Sequence, residues 1–132
     1  MNPPSTLQAS TLVALGGASG AVLRYHSGRL IGTIAGPNNV FPWGTFSINV
    51  VGSLLMGVLA GWLARHDANE AWRLLIGVGV LGGFTTFSAF SLESALLIER
   101  GLIGPAALYA AGSVVAGIVG LFAGIAIARA VA

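Results

Sequence analysis

Four long uncharged stretches divide this chain: Asn2–Leu23, Leu30–Ala64, Leu74–Leu92 and Gly101–Ala128. Charged side chains fall almost entirely between them. A helix crosses a bilayer with about 20 mostly apolar residues. The pattern therefore predicts four transmembrane helices, over approximately 7–30, 43–65, 71–100 and 104–130. Turn-forming residues mark the connections. Asn2-Pro3-Pro4-Ser5 reads as the lead-in and cap of the first helix, and Gly36-Pro37-Asn38-Asn39-Val40-Phe41-Pro42 as the first loop. Pro42 suits a first helical turn. Arg65-His66-Asp67-Ala68-Asn69-Glu70 is expected as a tight polar turn, and Gly101-Leu102-Ile103-Gly104-Pro105 as the last one. Trp43, Trp62 and Trp72 lie near predicted helix ends, where indole rings form interfacial belts.

Composition agrees with this pattern. The 132 residues are 55% hydrophobic and 8% charged, whereas about 25% of a soluble domain is charged. Mean hydropathy is +0.88. The expected fold class is an all-α membrane protein with one integral domain over residues 1–132. Residues 1–23 hold no Lys or Arg to form a positive n-region, so the first segment is expected to stay as a helix rather than serve as a cleaved signal. With no cysteine, disulfides, thiolate metal sites and cysteine nucleophiles are excluded. The basic residues are all arginine and scattered singly, which gives no run for nucleic acid. Most of them read as interfacial anchors.

Charge placement bears on topology. If four helices alternate direction, Arg65, Arg73 and Arg129 share one side and Arg24, Arg29 and Arg100 the other. Lys and Arg bias normally sets orientation, and three against three supplies almost none. Insertion in both orientations is one consequence. Small residues at four-residue spacing permit close helix approach in lipid. They occur at Gly16/Gly20, Gly28/Gly32, Gly57/Gly61, Gly79/Gly83 and Gly120/Gly124. Four short helices make a poor conduit alone, so a homo-oligomer is expected.

Candidate chemistry concentrates in Gly82-Gly83-Phe84-Thr85-Thr86-Phe87-Ser88-Ala89-Phe90-Ser91. Adjacent glycines cost a helix about 1 kcal/mol each against alanine, and threonine hydroxyls compete for backbone partners. The pattern predicts a third helix broken near Gly82–Thr86. Freed backbone at membrane depth is tolerated only where protein or a water-filled cavity surrounds it. Carbonyl oxygens released around Gly82–Thr85 would suit a hard cation such as Na⁺. Phe87 and Phe90 share a helical face, with Ser88 and Ser91 beside them. Aromatic rings have negative faces and positive edges, so edges turned to a pore meet anions. The idealised desolvation cost of an ion is of order 20 kcal/mol, and hydroxyl and amide donors must replace the lost water. Composition leaves the ion open.

Other polar residues at membrane depth are few. Asn49 could donate to an anion or form an interhelical hydrogen bond. Glu93 is the one acid clearly within a span, suited to a proton or cation, or to pairing with arginine or backbone. Arg24 reads either as a snorkelling anchor, the commoner case, or as a charge that draws anions into a vestibule. Ser113 is expected to bond back to the carbonyl of residue 109, with lining a pathway as the alternative. His26 and His66 read as interfacial.

Three stretches resemble a known family: Gly17-Ala18-Ser19-Gly20-Ala21-Val22-Leu23-Arg24-Tyr25, Gly44-Thr45-Phe46-Ser47-Ile48-Asn49-Val50-Val51-Gly52, and Gly82 through Glu93. Together they resemble the Fluc (CrcB-type) fluoride channels over nearly the whole chain, the third stretch most specifically. The resemblance implies an antiparallel dual-topology homodimer of four-helix subunits in the plasma or inner membrane. It implies two fluoride pores, passive electrogenic efflux that relieves fluoride toxicity, and no enzymatic activity. It further implies a structural Na⁺ at the dimer interface held by the backbone carbonyls of Gly82 and Thr85. Phe87 and Phe90 match the family's pore phenylalanines, Asn49 its pore asparagine and Arg24 its first-helix arginine. Ser88, Ser91 and Glu93 match its polar track. Ala89 departs from the pattern, standing where members often carry a hydroxyl, so the track is expected to recruit Thr86 or Ser113.

Two other classes compete. A small dual-topology proton-coupled drug exporter needs a membrane carboxylate, usually on the first helix, and no acid precedes Asp67. In a non-transporting assembly subunit the glycines would serve packing and the phenylalanines the core.

Overall fold

The computed structural model describes residues 3–66 and 70–131. Asn2 of the expected lead-in and Asp67, Ala68 and Asn69 of the expected polar turn lie outside the described residues. Among the described residues, four helices are long and apolar enough to cross a membrane: Thr6–Ala35, Trp43–Leu63, Glu70–Glu99 and Ile103–Val131.

The first span opens on a capping box. Ser5 Oγ accepts the Gln8 N–H at 3.4 Å, and Gln8 Oε1 accepts the Ser5 N–H at 2.9 Å. These bonds satisfy two donors that a helix start leaves orphaned. The span ends at Gly36, where φ is 87°, a conformation that glycine adopts without steric cost. It continues past the charges at Arg24 and Arg29, because arginine is a good helix former. The third and fourth spans are joined through Gly101, at φ 74°.

The third span is not uniform. After Glu70–Trp72, the stretch Arg73–Leu81 winds as a π-helix, and the Gly82 N–H still reaches back to the Gly77 carbonyl. Gly82–Phe84 is again α-helical. Thr85 (φ −78°, ψ 161°) and Thr86 (φ −152°, ψ 122°) are extended, and α-helix resumes over Phe87–Glu99. Gly82 and Gly83 are themselves helical, so the glycines are not the unwound residues.

Glycine packing ties the spans in pairs. The second and fourth pack most extensively. A Cβ added at Gly57 would fall on the Leu121 carbonyl oxygen, and one at Gly124 on the Leu54 carbonyl oxygen. First and third pack the same way, with Gly16 against Leu75 and Gly79, and Gly20 against Val80. At Gly83 a Cβ would stand 2.5 Å from the Gly17 carbonyl oxygen. Packing, which the Gly79/Gly83 spacing suggested, is therefore a sufficient reason for glycine at 83 without the helix breaking that the adjacent glycines also suggested. The spacing at Gly28/Gly32 has no such partner at its second member, since Gly32 faces open space.

The buried core is small. Tyr109 is fully buried with Leu97 and Ala106, and Phe41, Phe46, Phe90 and Leu102 pack around them. Ring centroids lie 5.4 Å apart for Phe41–Tyr109 and 5.2 Å for Phe90–Tyr109. Elsewhere large apolar side chains face outward, among them Leu108, Val115, Val119 and Phe122. Helices apolar all round need lipid or a partner as surroundings.

Candidate functional site

The site is built around the extended step at Thr85–Thr86. In a continuous helix the Thr86 N–H would bond the Gly82 carbonyl. Here it donates to Asn49 Oδ1 at 2.8 Å, while Asn49 Nδ2 donates to the Thr86 carbonyl at 3.0 Å. One side-chain amide thus satisfies both backbone groups of Thr86. Such groups are costly to leave unpaired at membrane depth. Of the two readings open for Asn49, the interhelical bond is the one observed. Its amide has a second hydrogen not used by these contacts.

Arg24 reaches the same step from the first span, and its guanidinium donates to the Thr85 carbonyl at 3.1 Å. The side chain points inward, not to the headgroup level as a snorkelling anchor would. Thr85 Oγ1 donates to the Leu81 carbonyl at 2.9 Å, and the Thr85 N–H to the same oxygen at 3.0 Å. Thr86 Oγ1 caps the following helix by accepting the Ala89 N–H at 3.2 Å, and it lies 3.2 Å from Ser88 Oγ. The helix restarts here because threonine suits an N-cap.

A cavity of about 730 Å³ opens beside the step. Arg24 and Arg29 of the first span, Thr45 of the second, and Thr86, Ser88 and Glu93 of the third all line it. Ala89 lines it too, contributing a methyl group. Thr86 therefore lies on the cavity wall beside Ala89. Glu93 pairs with neither arginine nor backbone. Its carboxylate accepts from Thr45 Oγ1 at 2.7 Å and from the Tyr109 hydroxyl at 2.6 Å. Thr45 and Tyr109 carried no role in the sequence reading. Their separations from Glu93, 48 and 16 residues, put them beyond local pattern. The one available signal was a tyrosine inside a span that is apolar apart from Ser113 and Arg129.

The two phenylalanines part company. Their ring centroids are 5.5 Å apart with planes at 38°, yet Phe90 joins the aromatic core and Phe87 is 78% exposed. Ser91 Oγ donates back to the Phe87 carbonyl at 2.9 Å, as serine in a helix commonly does. Ser113 departs from expectation. Its Oγ is buried and without a hydrogen-bond partner, so the bond back to residue 109 does not form. Buried hydroxyls without partners are rare. Nothing in the contacts brings Ser113 to the step itself. His26 and His66 sit on aromatic neighbours, His26 edge-on to Tyr25 at 5.2 Å and His66 stacked on Trp62 at 5.1 Å.

Comparison with known proteins places this geometry. Residues 11–125 match the family described as CrcB-like protein, Camphor Resistance (CrcB). A protein of Novosphingobium aromaticivorans named fluoride-specific ion channel FluC is 72% identical over 126 residues, covering 96% of this chain and 100% of that one. A protein of Nitrobacter hamburgensis named fluoride-specific ion channel FluC 2 is 56% identical over 119 residues, 89% of this chain and 94% of that one. The similarly named protein of Caulobacter vibrioides is 53% identical over 120 residues, 89% and 93% of the two chains. The match takes in Arg24, Asn49 and the whole Gly82–Glu93 stretch, and the chain belongs to the CrcB-like family.

Proposed function

We propose that this protein is a fluoride-selective channel that passes the ion passively and electrogenically, relieving a microbial cell of accumulated fluoride across its plasma or inner membrane. One arrangement carries the reading. An extended two-residue step lies within a membrane-spanning helix, held by Asn49 and Arg24 and opening on an arginine-lined cavity. The relatives that share this chain's length are named fluoride-specific channels. A small anion entering the cavity meets positive charge first, then the hydroxyls of Thr86 and Ser88. Beyond them stand the rings of Phe87 and Phe90, whose positive edges suit an anion stripped of water. Glu93, Ser91 and Ser113 complete the polar set assigned to the pathway. Ser113 brings a hydroxyl with free bonding capacity.

The working unit is an antiparallel dual-topology homodimer with two pores. Phe87, at 78% exposed, would lie against lipid in a single copy, and a pore residue needs a wall opposite it. The proposed Na⁺ supports the same unit. The donor chemistry fits: asparagine takes the Thr86 N–H away from the Gly82 carbonyl, and the Thr85 carbonyl keeps a lone pair beyond its Arg24 bond. Hard cations take several oxygen ligands, and two carbonyls from one chain leave the shell incomplete. An inverted partner supplies the other pair. The bound ion would contribute fixed positive charge at the interface.

Purified protein in liposomes loaded with potassium fluoride tests the reading. Fluoride should leave rapidly only when valinomycin supplies a compensating potassium path. Chloride should be largely retained, and an imposed proton gradient should make no difference. No fluoride movement would refute the channel. Dual topology is tested by placing extra arginines in the connection between the second and third spans. Uniform orientation should then abolish activity, and full activity from uniformly oriented protein would refute the antiparallel dimer.

A further inference from the structure

We infer that Arg29 is an anion-capture residue at the mouth of the cavity, an inference that rests on the channel reading and names a specific part of its entrance. Arg29 follows Arg24 by five residues, about 7.5 Å farther along the helix axis. It therefore lies between the step and the loop residues Gly36 and Asn39, which line the outer part of the same cavity. Its guanidinium does not extend freely. Nη1 donates to the Tyr25 hydroxyl at 2.9 Å, and Cζ stands 5.7 Å from the centroid of the Tyr25 ring. Tyrosine and arginine one helical turn apart meet on one face, and the ring attracts the cation without neutralising it.

That last point separates Arg29 from a paired surface charge. Among the described residues the one salt bridge joins Arg73 to Glu70, far along the chain. Glu93, the carboxylate that lines the cavity, is turned to the hydroxyls of Thr45 and Tyr109. Two guanidinium groups and one carboxylate therefore line the cavity. Arg24 is already bonded to the Thr85 carbonyl, which leaves Arg29 as the outer positive charge held in place on a neutral ring. A fixed unit charge about 7 Å from a passing anion in water attracts it enough to raise its local concentration about threefold. Charge alone does not tell one halide from another. Arg29 thus governs how often an anion arrives and leaves selectivity to the step and the rings.

The experiment compares fluoride efflux from liposomes holding wild type, Arg29→Gln or Arg29→Lys. Each is measured at dilute potassium fluoride with valinomycin, once in sucrose and once with added impermeant potassium gluconate. The screening length falls from about 30 Å at 0.01 M to about 3 Å at 1 M. Arg29→Gln should run about threefold slower than wild type in sucrose and match it in high gluconate. Arg29→Lys should recover most of the rate, and the preference for fluoride over chloride should be unchanged in all three. A deficit of equal size at both ionic strengths would overturn the capture role, as would no deficit in sucrose. An inactive wild type would instead refute the channel reading.

Discussion

Replacing Asn49 by leucine, a side chain of similar size, isolates the clamp on the extended step. Two hydrogen bonds are lost, at 2.8 and 3.0 Å. Orphaned buried groups in water-soluble proteins cost about 1–3 kcal/mol each. Interhelical bonds in membranes average only about 0.6 kcal/mol, with a maximum near 1.7, because the reference state finds other partners. Here an alternative partner is visible: without Asn49 the Thr86 N–H can return to the Gly82 carbonyl and close the helix. The smaller scale therefore applies, and Asn49→Leu should lower stability by about 1–3 kcal/mol for the two bonds together. Function should suffer more than folding, since closing the helix removes the step. Fluoride efflux from liposomes should fall at least about tenfold, equivalent to 1.4 kcal/mol in a barrier, with helical circular dichroism retained. Asn49→Asp sharpens the test. It keeps an acceptor for the Thr86 N–H but adds negative charge beside the step, so it should be more stable than Asn49→Leu and no faster. Wild-type efflux from Asn49→Leu would refute the clamp as the determinant of the site.

The two phenylalanines should separate in their effects. Phe87→Ile should leave unfolding in detergent nearly unchanged while cutting fluoride efflux, whereas Phe90→Ile should do both, because Phe90 packs on Tyr109. Equal efflux from both variants and wild type would remove the rings from the pathway. Gly124→Ala places a methyl group on the Leu54 carbonyl, and overpacking of this kind costs about 1–3 kcal/mol. Gly32→Ala meets open space and should be neutral when both are unfolded side by side. Tyr109→Phe removes the 2.6 Å bond to Glu93. It should alter the carboxyl stretching band of Glu93 in infrared difference spectra and slow fluoride efflux, and an unchanged band would show the bond to be unimportant.

Hydropathy alone was enough for four long apolar helices, since a bilayer imposes one length on any spanning segment. The ordered motifs around Arg24, Asn49 and Gly82–Glu93 were enough for the family. Both are properties of adjacent residues, and adjacency is what a sequence displays. The glycines illustrate the limit. Their spacing was visible, but which spans they join was not: Gly83 read both as one of a packing pair and as a helix breaker, and its neighbour Gly17 lies far back in the chain.

Tertiary structure decided the rest. Only folding brings Asn49 to Thr86, Arg24 to Thr85, and Thr45 and Tyr109 to Glu93. It also separated Phe87 from Phe90, which the helical period had put on one face, because the core lies on one side of that helix only. It left Ser113 without the local bond its type favours, and turned Arg29 from a presumed anchor into a charge held over Tyr25. Local pattern specifies which groups are present and how far along a helix they stand. Direction and pairing depend on the span packed alongside, and that is a property of the fold.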